Sequence, residues 1–156
     1  PLSIPLPFSP VPISLTNLVI FISVFILGMK DATISFLIYL LLGTVGLPVF
    51  SSFRAGLSVL AGPTGGYLIG FIFLALIQGF AMKYFDRKLL PTIIGMLIGM
   101  AVCYIFGTVW LAKLMSLSFK EGLFMGVIPY LPGDAVKIII AVIVGPKLYA
   151  ATKKVR

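Results

Sequence analysis

The chain has 156 residues, of which 60% are hydrophobic and 10% charged, with a mean hydropathy of +1.19. Soluble domains carry about 25% charged residues, so these values exclude a soluble globular protein, and the length fits one domain, 1–156. The absence of histidine excludes His-based catalysis and most transition-metal sites, four acidic residues disfavour a carboxylate metal cage, and no cofactor or catalytic residue is expected.

The net charge is +8, but the basic residues sit at the ends of apolar runs, as orientation signals do, and do not predict nucleic-acid binding. The runs are continuous rather than alternating, so an outer-membrane barrel is not expected. The expected class is an all-α, multi-pass helical protein of the cell membrane, embedded in the lipid bilayer.

Residues 1–13 hold five prolines within the first twelve positions. Proline breaks helices and pushes its predecessor to extended geometry. Leu2, Ile4, Phe8 and Val11 make the segment apolar, so a stiff extended stretch packed across the outer end of a bundle is expected. Spans follow at about 14–28 and 32–46, joined by Met29-Lys30-Asp31 as a tight helical hairpin in which Asp31 caps the second helix. Residues 47–67 form a long connection with Gly, Ser, aromatics and Arg54. Its Gly62-Pro63-Thr64-Gly65-Gly66 run lacks the Gly-Lys-Ser/Thr ending of a phosphate loop. Gly65, Gly66 and Gly70 predict close helix packing, and the run is also a candidate pocket wall.

A third span is expected over 66–82 and a fourth over 89–112. The fourth contains Cys103, a small packing residue, Tyr104, and Trp110 as an interface anchor. Residues 113–130 are mildly amphipathic and predict a short helix lying along the surface. The fifth span is expected over 134–150. Five spans put Lys30, Lys83, Arg87, Lys88, Lys147, Lys153, Lys154 and Arg156 on one side, and Arg54, Lys113 and Lys120 on the other. The richer side is expected to be cytoplasmic. The proline-rich segment, the Arg54 loop and Asp134 then share an outward-facing mouth.

Asp134 and Lys137 open the fifth span. Three residues apart on a helix, they share a face. Ionisable groups at membrane depth face a bundle interior or a wet cavity, so the pair is a candidate clamp for a small ligand. The alternative is an N-cap Asp with a helical ion pair.

Four stretches together resemble the BioY family: Pro7-Phe8-Ser9-Pro10-Val11-Pro12-Ile13-Ser14-Leu15, Leu40-Leu41-Leu42-Gly43-Thr44-Val45-Gly46-Leu47-Pro48-Val49-Phe50, Gly62-Pro63-Thr64-Gly65-Gly66-Tyr67, and Pro132-Gly133-Asp134-Ala135-Val136-Lys137. The resemblance implies a six-helix S component, the substrate-specific subunit of energy-coupling-factor (ECF) transporters, that binds biotin from outside. Here the chain begins at the proline-rich segment, so five of the six helices are expected. It also implies a transmembrane coupling subunit and two cytoplasmic ATPases as partners, and no enzymatic activity in this chain. With biotin as the ligand, Asp134 would accept from a ureido N–H and Lys137 would donate to the ureido carbonyl. Phe50, Phe53, Tyr67 and Tyr130 would supply apolar walls beside Thr64, and Arg54 would hold the valerate. The reverse, with Lys137 taking the valerate, stays open. Rival readings are an S component for another vitamin, a structural membrane protein and a membrane enzyme. The last is disfavoured by the lack of a nucleophile–base pair.

Overall fold

The computed structural model describes residues 2–154; Pro1 and Arg156, included in the sequence reading, lie outside them. Two strands, β1 (Ser3–Leu6) and β2 (Ser9–Ser14), precede six helices: α1 (Thr16–Val45), α2 (Leu57–Ala61), α3 (Gly65–Tyr84), α4 (Leu89–Met115), α5 (Phe119–Gly126) and α6 (Leu131–Lys153). Among the described residues, four stretches are long and apolar enough to cross a membrane: Thr16–Val45, Gly65–Tyr84, Leu89–Met115 and Phe119–Lys153.

The proline-rich segment is extended, as expected, but it folds back on itself. Ser3 pairs with Ser14 and Ile4 with Ile13 in an antiparallel hairpin, with an irregularity before Leu6 meets Ser9. This small sheet is the exception to an otherwise helical fold. The Tyr130 hydroxyl holds it down by bonding the Val11 carbonyl and, at 2.8 Å, the Ser9 hydroxyl.

Within α1 the backbone breaks at Gly28, at φ 82° and ψ 179°. The arms, 16–27 and 29–45, run antiparallel: Thr16, Ile20 and Ser23 of the first share a groove with Tyr39, Phe36 and Ala32 of the second. The expected hairpin is therefore present, but its turn is one glycine rather than Met29-Lys30-Asp31. Asp31 lies inside the second arm and is not its cap. The Arg87 guanidinium closes this end of the bundle, donating to the Phe25 carbonyl at 2.6 Å and stacking 3.8 Å above the Tyr149 ring.

Without a hydrophobic force between helices in lipid, close approach has to come from small residues. A Cβ on Gly70 would lie 2.9 Å from the Cys103 Cα, and one on Gly99 would lie 3.0 Å from the Leu74 Cα. These contacts seat α3 directly on α4. Trp110 is drawn into the same interface, its indole N–H donating to the Gly62 carbonyl at 2.9 Å. Helix α5 starts with a capping box between Ser118 and Glu121, which isolates it as a separate short helix.

The region occupied by Gly28 is essentially closed to residues with a Cβ, at a strain of about 1–3 kcal/mol. Gly28→Ala should therefore lower stability by about that much, read as a lower melting temperature in detergent. Gly133→Ala is the control, because nothing lies within 4 Å of its Cβ position and alanine favours helix. Equal melting of the two variants would contradict this account of the turn.

Candidate functional site

Helix α6 begins at Leu131, three residues before the expected start at Asp134. Pro132 fits the first turn, where its missing N–H has no helical partner to lose. Asp134 is thus carried inside the helix and is not its N-cap. Its carboxylate bonds side chains rather than backbone N–H groups. Oδ1 accepts from Lys137 Nζ at 2.8 Å and from Asn17 Nδ2 at 2.7 Å, and Oδ2 accepts from the Tyr104 hydroxyl at 2.5 Å. Lys137 Nζ also donates to the Ser14 carbonyl at 2.7 Å. Asp134 and Lys137 are only 7% and 8% exposed. Residues from β2, α1, α4 and α6 therefore meet in one buried polar cluster. Each charge is paired and further hydrogen-bonded, the condition under which charges are retained in a low-dielectric interior.

The cluster forms the polar end of a cavity. Asp134, Asn17 and Tyr104 line it beside Tyr67, Phe71 and Met100, and Val11 and Pro12 of the hairpin cover it. The cavity volume is ≈ 70 Å³. Apolar and aromatic walls around a few convergent polar groups are the usual composition of a small-molecule site.

Of the residues expected from sequence, Asp134, Tyr67, Thr64 and Tyr130 line this cavity, together with Ser51 of the loop before α2. The others are placed elsewhere. Lys137 lies behind Asp134, between that carboxylate and the Ser14 carbonyl. Phe50 is 1% exposed and packs edge-on against Tyr39 under Gly43. Phe53 is 63% exposed, and Arg54 is exposed beside it. Asn17 and Tyr104 were not expected. Their one sequence signal is polarity within an apolar run, an amide near the start of the first span and a phenol inside the fourth.

The sequence profile of the BioY family matches residues 1–154. The chain belongs to the BioY family. A biotin transporter BioY from Rhizobium etli is 36% identical over 150 residues, covering 91% of this chain and 80% of its own length. Another, from Thermotoga maritima, is 33% identical over 145 residues, covering 93% and 85%. Among solved structures, the S component for biotin from an ECF-type ABC transporter superposes with a TM-score of 0.86 at 31% identity, covering 94% of this chain and 79% of that one. The multi-pass membrane class is that of a BioY protein, a transporter component and not an enzyme.

Breaking a buried ion pair by removing one partner costs about 3–5 kcal/mol, because it strands a charge, whereas removing both can be nearly neutral. Lys137→Met should therefore lower stability by about that amount. Asp134→Asn combined with Lys137→Met should recover most of it. Melting curves of the ligand-free variants in detergent test this, and additive losses in the double variant would refute the coupling.

Proposed function

We propose that this BioY protein captures biotin from the extracytoplasmic side and supports its uptake as the substrate-specific subunit of an ECF transporter. The observation that carries the reading is the Asp134 carboxylate, oriented by three donors and facing a cavity with aromatic and apolar walls. A carboxylate has about four lone-pair sites. Three are engaged, so one remains for a ureido N–H. Lys137 supports this acceptor from behind, tying it to the hairpin through the Ser14 carbonyl. The thiophane ring and valeryl chain would lie along Tyr67, Phe71 and Met100. The valerate would emerge at the mouth near Ser51, on the loop that carries Arg54.

The relatives named as biotin transporters and the structural likeness to a biotin S component support the same ligand. The chain carries no phosphate loop, so ATP hydrolysis falls to partners: a transmembrane coupling subunit and two cytoplasmic ATPases. The hairpin and the Ser51 loop cover the cavity, and the cluster of Arg87 with Phe25 and Tyr149 closes another part of the bundle. The basic residues concentrated around Lys83, Arg87 and Lys88 assign that part to the cytoplasm.

The test is equilibrium binding of radiolabelled biotin to the purified protein, with thiamine and riboflavin as competitors. Unlabelled biotin should displace the label, and the other two vitamins should not. Displacement by thiamine or riboflavin would move the assignment to another vitamin, and no binding of any of them would favour a structural role.

A further inference from the structure

Asn17 is the buried polar residue whose part in the site is least explained by packing. It is 3% exposed, lies in the first turn of α1 and lines the cavity. Both ends of its amide are fixed. Oδ1 accepts from the Leu18 N–H at 3.1 Å, and Nδ2 donates to Asp134 Oδ1 at 2.7 Å. The reversed amide would set its oxygen against a carboxylate that can only accept. One N–H of Nδ2 is thereby used, and its second N–H makes no hydrogen bond to any other group among the described residues.

A cyclic urea presents an N–H and a C=O side by side on one edge. Recognition of that edge needs an acceptor and a donor that are neighbours. The Asp134 carboxylate, whose open acceptor site is on Oδ2, and the Asn17 amide, bonded to Oδ1 of the same carboxylate at 2.7 Å, are such a pair. The ammonium that would otherwise be the donor is misplaced: two of its three N–H groups bond Asp134 and the Ser14 carbonyl, and Lys137 does not line the cavity, whereas Asn17 does. Tyr104 is also a poor donor, because its single hydroxyl proton is given to Asp134 Oδ2. We infer that Asn17 is a specificity-determining residue whose free N–H donates to the ureido carbonyl oxygen while Asp134 accepts the adjacent ureido N–H. This inference rests on the biotin reading above and adds the donor that reading lacks.

The purely structural alternative is that Asn17 only orients Asp134. The two roles separate when the ligand carbonyl is changed. In 2-iminobiotin the oxygen is replaced by a nitrogen that carries hydrogen in the guanidinium form, so an acceptor becomes a donor. Asn17 then opposes the analogue and favours biotin. The measurement is the ratio of affinities for biotin and 2-iminobiotin in wild type and in Asn17→Ala, by competition in detergent. A ratio taken within one preparation does not depend on the fraction of folded protein. Asn17→Ala should reduce the preference for biotin by about 10-fold or more, since one hydrogen bond is lost with one ligand and one donor–donor clash is relieved with the other. Asn17→Ser carries the same comparison should Asn17→Ala bind too weakly to titrate. An unchanged ratio, with biotin still bound by wild type, would overturn the assignment of Asn17 alone. Wild type that binds neither ligand would overturn the biotin reading itself.

Discussion

A buried carboxylate in a membrane protein has to be paid for by its neighbours, and Asp134 organises this fold through the partners it requires. Removing a charge from water costs several kcal/mol even after relaxation. Here the offset comes from an ammonium one turn along α6, an amide from α1 and a phenol from α4. The ammonium in turn bonds the Ser14 carbonyl, where the hairpin ends. One charged group thus fixes the relative positions of three helices and the covering strand. The same group faces the cavity, so the polar cluster that holds the bundle together also forms the cavity's polar end.

The rest of the packing builds the other walls of the cavity. Glycines bring α3 and α4 into near-backbone contact at Cys103 and Leu74, so Tyr67, Phe71, Met100 and Tyr104 are held in register as one wall. Gly28 lets α1 double back, which places Asn17 at the same end as the start of α6. The Tyr130 hydroxyl fastens the proline-rich hairpin over the mouth. Hydrogen bonds of this kind contribute about 0.5–1.5 kcal/mol each.

Local information carried the sequence reading far, and its limits follow from the same physics. The composition fixes the membrane class, and the i,i+3 spacing of Asp134 and Lys137 places them on one face. That spacing does not say which of the two faces a cavity. The answer depends on Ser14, which is 123 positions away from Lys137 in the chain. Asn17 and Tyr104 were hidden for the same reason: each becomes meaningful only when it meets Asp134 in space. The extended geometry of residues 1–13 was readable from proline. The strand pairing was not, because prolines remove the N–H donors by which strands are recognised. The turn at Gly28 was masked by the more polar Met29-Lys30-Asp31 beside it. Arg54 and Phe53 were candidates by residue type, yet their loop carries them outward, with Ser52 and Phe53 both at positive φ.

The central claim is that Asp134 accepts a hydrogen bond from the ligand as well as from its three protein donors. Its most direct test is biotin titration of wild type and Asp134→Asn in detergent, with a melting curve for each ligand-free protein. Asparagine keeps the shape but turns one acceptor oxygen into a donor nitrogen. The account predicts an affinity loss of about 30-fold to 1000-fold in a variant that still melts cooperatively. Near-wild-type affinity in a well-folded Asp134→Asn protein would contradict it.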